Sequence, residues 1–118
     1  MMDADVLRKA YEHFNAREID SVMELMSEDV NWENALTRER VVGKAKVRAL
    51  WMEQWKFSDV KLEPLKIYEE DGKTIVLSRH IVSDLNGQVL NDQEIEEVYV
   101  MREGLVMRAD FRRPKDTV

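Results

Sequence analysis

A chain of 118 residues accommodates one domain, residues 1–118, with no room for a second core. It contains no cysteine, which excludes disulfides, thiolate nucleophiles and thiolate metal sites, and its net charge of −6 disfavours general binding to phosphate backbones. No apolar run reaches membrane-spanning length and the amino terminus lacks the apolar segment of a signal peptide, so the sequence is read as cytoplasmic, with no membrane partner.

Helical periodicity comes first. Val6, Leu7, Ala10, Tyr11 and Phe14 recur at the spacing of one helix face, with Asp3 as the expected cap. Asn15-Ala16-Arg17 interrupts it, and Ile19, Val22, Met23 and Met26 mark a short second helix. Val30–Asn34 reads as a short strand, and a third helix follows Gly43, burying Val47, Leu50, Trp51 and Trp55. Beyond Ser58 the period becomes two. Asp71-Gly72, Asn86-Gly87 and Glu103-Gly104 are turn dipeptides that divide the remainder into four antiparallel strands: about 59–70, 73–85, 88–102 and 105–112. The apolar phase of the first slips at Pro64, where a bulge would absorb the missing N–H. The expected class is α+β: a curved antiparallel sheet, shaped as a cone or half-barrel, wrapped by three amino-terminal helices.

Residues Phe14-Asn15-Ala16-Arg17-Glu18-Ile19-Asp20, Glu28-Asp29-Val30-Asn31-Trp32-Glu33-Asn34 and Gly43, with the closing hairpin Val98–Val106, resemble the SnoaL-like branch of the nuclear transport factor 2-like superfamily. The resemblance covers essentially the whole chain and implies which strand faces point into the cone. The implied inward set is Trp32 and Asn34, then Leu77, Arg79 and Ile81, then Gln93, Ile95, Glu97 and Tyr99, then Met107, Ala109 and Phe111. His80, Glu94, Glu96 and Asp110 would face outward, and a slip of one residue would invert any strand. Against ketosteroid isomerase, a similar fold, the position of the base is held by Asn34, and an amide cannot abstract a proton. Against limonene epoxide hydrolase, Arg79 and Asn34 match, but Ile81 and Ala109 stand where its two carboxylates would be.

On that parity Glu97 is the one carboxylate inside the cone, and Arg79 on the neighbouring strand is its expected partner. The pair either closes a buried polar network or makes Glu97 an acid–base group, with Tyr99 a hydrogen-bond donor and Arg79 an anion anchor. Trp32, Asn34, Gln93, Ile81, Ile95, Ala109, Phe111 and Phe14 would line the ligand space. His13 and His80 lack metal-ligand spacing, Ser78 and Ser83 lack a nucleophile elbow, and four glycines make no phosphate loop, so no cofactor and no metal are expected. Asp92, Glu94, Glu96 and Glu103 read as a solvated acidic face, and Arg108, Arg112, Arg113 and Lys115 as a basic strand end. The expectation is a homodimer, formed through the convex sheet face, whose pocket binds a small apolar organic molecule, with acid–base catalysis of isomerase, lyase or hydrolase type. Two alternatives share the pattern: a non-catalytic carrier or sensor, and a protein-interaction module whose cone is filled by its own side chains.

Overall fold

The computed structural model describes residues 2–35 and 37–114; Lys115 lies outside them. Helix α1 (Asp3–Asn15) and the short α2 (Ile19–Met23) lead into β1 (Met26–Glu33) and β2 (Arg40–Val42). Helix α3 (Lys44–Gln54) follows, then β3 (Ser58–Glu70), β4 (Lys73–Asp84), β5 (Val89–Arg102) and β6 (Leu105–Arg112). All six strands form one sheet in the order β2-β1-β6-β5-β4-β3. The architecture is the α+β arrangement expected, a curved, unclosed sheet with helices laid across one face. No helix is long and apolar enough to cross a membrane among the described residues.

Helix α1 buries Val6, Leu7, Tyr11 and Phe14 and starts from Met2, with Asp3 and Asp5 in its first turn rather than Asp3 as the cap. Two carboxylates there suit the positive end of the helix dipole. Its other end is fastened to the sheet by side chains. Asn15 Nδ2 donates to the Leu62 carbonyl (2.7 Å) and Asn15 Oδ1 accepts from the Leu62 N–H (2.8 Å), imitating a strand partner. Arg17, at φ 62°, donates to the carbonyls of Phe14 and Val60. Gly43 opens α3 at φ 103° and ψ 142°, a conformation that side chains rarely adopt, and its N–H reaches back to the Val30 carbonyl (2.8 Å).

The sequence pattern misses two features of the first half. Met26 opens β1 instead of closing α2, and β2 is a three-residue strand with little pattern to reveal it. Strand β1 pairs in parallel with β6, Trp32 lying opposite Ala109, which joins the helical half of the chain to the meander. The meander is as expected. Glu70 pairs with Lys73 and Arg102 with Leu105 across two-residue turns, while the third hairpin is wider, closing on Asp84 and Gln88. At the Pro64 slip, Pro64 faces Ser78 and Lys66 faces Leu77, which leaves Leu65 as the extra residue of a bulge.

Pairing across the sheet sets the faces. Val76 lies opposite Glu97, Ser78 opposite Ile95, and His80 opposite Gln93; Tyr99 lies opposite Thr74 on one side and Ala109 on the other. Opposed residues share a face. Strand β4 therefore turns Thr74, Val76, Ser78, His80 and Val82 toward the helices, and its phase is one residue away from the one implied by resemblance. Arg79 and Ile81 belong to the outer face. Strands β1 and β5 keep the expected phase, and β6 keeps it at Ala109 and Phe111, but its register shift turns Val106 rather than Met107 to the inner face. Glu96 does face outward but is not solvated: it is 5% exposed and accepts hydrogen bonds from Tyr68 and Arg112.

Candidate functional site

Beneath the helices, four polar side chains converge on Glu97, which is 1% exposed. Its Oε1 accepts from Tyr11 of α1 (2.7 Å), from Ser78 (3.2 Å) and from His80 Nε2 (3.0 Å), the last two on β4. Its Oε2 accepts from Tyr99, two residues along β5 (2.6 Å). The two tyrosine oxygens are themselves 2.9 Å apart. With both hydroxyl protons directed at the carboxylate, that last contact has none of its own, so the pair is held by Glu97 rather than by each other.

This arrangement is what a buried carboxylate requires. Burial alone pushes the Glu97 carboxyl upward, but the hydrogen bond and charge of His80, then the hydroxyls of Tyr99 and Tyr11, outweigh it and hold it below the usual carboxylate range. Tyr11 and Tyr99 move the other way: burial, then the negative charge of Glu97, push both phenols well above their ordinary value. Glu97 is thus an acceptor surrounded by neutral hydroxyls. An ionised carboxylate can only accept, so His80 presents Nε2–H to it, and in the neutral ring Nδ1 is the nitrogen with the free lone pair. The imidazole is only 4% exposed and meets the Phe111 ring edge-on at 6.2 Å.

A cavity opens against this cluster. Its polar lining includes Tyr11, Tyr99, His80, Glu97, Asn34 and Gln54, and its apolar wall includes Phe14, Trp32, Trp51, Leu62 and Phe111. About 60 Å³ is open to the centre of a water-sized sphere. That is room for several waters or a small organic molecule. The aromatic wall interlocks: Trp51 stands edge-on to Phe14 (5.0 Å) and to Trp32 (5.1 Å). Asn34 closes the turn after β1, its carbonyl accepting from the Arg38 N–H (2.8 Å), and it is 3% exposed.

Of the residues proposed from sequence, Glu97, Tyr99, Trp32, Asn34, Phe14 and Phe111 are brought together around this space. Ala109 is fully buried on the same face, packed beneath the lining. Four others fall elsewhere. Arg79 lies on the outer face, where its Nε donates to Asp92 (2.8 Å), and it has no contact with Glu97. Ile81 shares that outer face; Gln93 is exposed beyond the cavity, and Ile95 is half-buried outside the lining. The partner of Glu97 is His80, the next residue after Arg79, so one step of register exchanges an arginine for an imidazole. Arg79→Ala should leave the urea midpoint and any ligand affinity as in the wild type. A loss of either would return Arg79 to the site.

The family is decided by extent. The SnoaL-like domain family matches residues 7–109. The chain belongs to the SnoaL-like family. Among solved structures, a nuclear transport factor 2-like protein of unknown function from Burkholderia pseudomallei superposes with a TM-score of 0.82 at 19% identity, over 97% of this chain and 92% of that one. TerC, co-crystallised with polyporic acid, gives 0.82 at 18%, over 95% and 91%. A protein named as a candidate polyketide cyclase from Silicibacter sp. gives 0.80 at 18%, over 96% and 89%. At such identities these likenesses establish the SnoaL-like fold and no activity. No curated protein matches the chain by sequence.

Proposed function

We propose that this SnoaL-like domain binds a small, largely apolar organic molecule in the cavity beneath its helices and exchanges a proton with it through His80. One observation carries the reading: an otherwise apolar cavity has, on one wall, an imidazole whose Nε2–H is engaged by a buried, fully hydrogen-bonded carboxylate. A carboxylate in that position fixes the tautomer and orientation of the ring. Glu97 has four donors on its two oxygens, so its role is to position His80, Tyr11 and Tyr99, and the nitrogen left for chemistry is His80 Nδ1. The relatives support the class of ligand: TerC was crystallised with polyporic acid, and several similar folds are named as candidate polyketide cyclases.

The test begins with a thermal-shift screen of small ketones, lactones, epoxides and alcohols, because a ligand of the folded state raises its melting temperature. For any compound that is bound and turned over, His80→Gln keeps an N–H for Glu97 but removes the base. Turnover should fall by about 10²-fold or more, with affinity changed by less than about threefold. Unchanged turnover would remove His80 from the chemistry. Binding without turnover of any compound would select the carrier role instead.

A further inference from the structure

The two ring nitrogens of His80 have different fates. Nε2 is held by Glu97 at 3.0 Å, whereas Nδ1 has no hydrogen-bond partner among the described residues. A missing partner does not by itself turn an atom toward a cavity. Three other unpartnered atoms, Ser27 Oγ, Gln54 Nε2 and Trp55 Nε1, are sealed from a water-sized sphere, so no ligand touches them as they stand. His80 Nδ1 is not one of that group: it is unpartnered and still open. The residue is 4% exposed and lines the cavity, so the opening is onto the cavity. On the same wall the hydroxyl protons of Tyr11 and Tyr99 are spent on Glu97. The indole N–H groups of Trp32 on β1 and Trp51 on α3 are unpartnered and unsealed in the same way as His80 Nδ1, which gives the lining donors as well.

We propose that the ligand carries a hydroxyl group, as an alcohol, phenol or enol, which donates its hydrogen bond to His80 Nδ1. This rests on the cavity being a ligand site with His80 as its proton-exchanging group, as proposed above, and adds which chemical group meets the imidazole. With Nε2–H committed to Glu97, Nδ1 of the neutral ring accepts and cannot donate. A carbonyl, ether or epoxide oxygen set against it brings lone pair against lone pair. A pure hydrocarbon leaves the nitrogen buried without a partner. A primary ammonium brings three N–H bonds to a nitrogen that takes one. A carboxylate would be confined in a small space with the ionised Glu97, where like charges are poorly screened. A hydroxyl gives its single proton to Nδ1 and keeps lone pairs that an indole N–H can meet.

Phenol and toluene have nearly the same shape and differ by O–H against CH₃, so together they isolate the contact. Affinities are measured by chemical-shift titration of backbone amides on the wild type and on His80→Phe, which keeps a ring and removes both nitrogens. The ratio of phenol to toluene affinity should fall by about tenfold or more in the variant, because the buried hydroxyl loses its acceptor. A fall of less than about threefold would overturn the assignment. His80→Gln does not serve for this purpose, since its amide oxygen still accepts. A second measurement, on the wild type alone, stands whether or not the variant folds. Long-range ¹H–¹⁵N spectra at about pH 8, above the ordinary imidazole value of about 6.5, report each ring nitrogen. Nδ1 should resonate as a bare nitrogen, and phenol, but not toluene, should move it toward the protonated range while Nε2 stays in place. An Nδ1 already protonated in the free protein, or one that responds alike to both bound probes, would overturn the assignment and leave the cavity reading intact. If neither probe perturbs the amides of the cavity wall at millimolar concentration, the cavity reading itself fails, and this assignment with it.

Discussion

Replacing Glu97 by alanine should lower the unfolding free energy at pH 7 by about 4 kcal/mol in urea titrations, because it strips the acceptor from a buried, hydrogen-bonded cluster. Four donors converge on the side chain, from Tyr11, Ser78, His80 and Tyr99, and all four residues are buried. Glu97→Gln should cost far less, about 1–2 kcal/mol. If the amide oxygen takes the place of Oε1, it still accepts from Tyr11, Ser78 and His80. The amide nitrogen then donates to the Tyr99 oxygen, and Tyr99 turns its proton to Tyr11, 2.9 Å away. All but the second amide N–H find a partner, and the charge assistance is lost. A Glu97→Ala variant within about 1 kcal/mol of the wild type would show that the carboxylate does not organise this cluster.

The same group predicts a pH signature, and its sign follows from the direction of the shift. The folded-state pKa of Glu97 lies below the unfolded value of about 4.3, so its stabilisation is fully present above that pH and disappears as pH falls through the folded value. The stability gap between wild type and Glu97→Gln should therefore be level near neutrality and shrink below about pH 4. Tyr11 and Tyr99 are shifted upward, so what they contribute is intact below the ordinary phenol value of about 10 and is lost as pH climbs toward their folded-state values.

Trp51→Ala should remove about 4 kcal/mol as well, by a different mechanism. The indole is 4% exposed and sits between Phe14, Trp32 and Trp55, at centroid distances of 5.0, 5.1 and 6.3 Å. Its loss removes both the buried area and two edge-on aromatic contacts, and Phe14 and Trp32 stand on two different elements that cannot both collapse inward. For a domain of this size the expected fall in Tm is on the order of 15 °C. Trp51 also forms part of the cavity wall, so the space vacated joins the cavity. Added indole should therefore restore several degrees to the variant and nothing to the wild type, by preferential binding to the folded state. A fall under about 1 kcal/mol, or equal shifts in both proteins, would contradict this packing.

The helices and the meander were legible because their signals are local. The stripe from Val6 to Phe14 is a helix face, and Asp71-Gly72 and Glu103-Gly104 fold into the two-residue turns that such dipeptides favour. The position of Pro64 announced the bulge in β3. The site was only half legible. Glu97, Tyr99 and Trp32 lie on strands, and Asn34 directly after one, whose phase the family resemblance implied correctly, whereas β4 was one residue out, which put Arg79 where His80 stands. The information to correct it was in the chain. A tight turn at Asn86-Gly87 sets Leu85 opposite Gln88, and counting back along both strands brings His80 opposite Gln93, on the face that carries Glu97. The real hairpin is wider, and a shift near Val82 restores the count, so His80 does pair with Gln93. Tyr11 could be read only as a core aromatic, because its bond to Glu97 spans 86 residues and depends on how α1 crosses the sheet.

The bulge in β3 has a bearing beyond the site. Strand β3 spans 13 residues on the rim of the sheet, with no neighbour on its far side, and a straight rim of that length invites another chain to add itself as a further strand. Pro64 has no N–H to offer such a visitor, and the extra residue at Leu65 breaks the even spacing of the groups that remain. Lys61, Glu63 and Lys66 place charges on either side of the break, so the longest free border of the molecule is poorly suited to seeding fibrils.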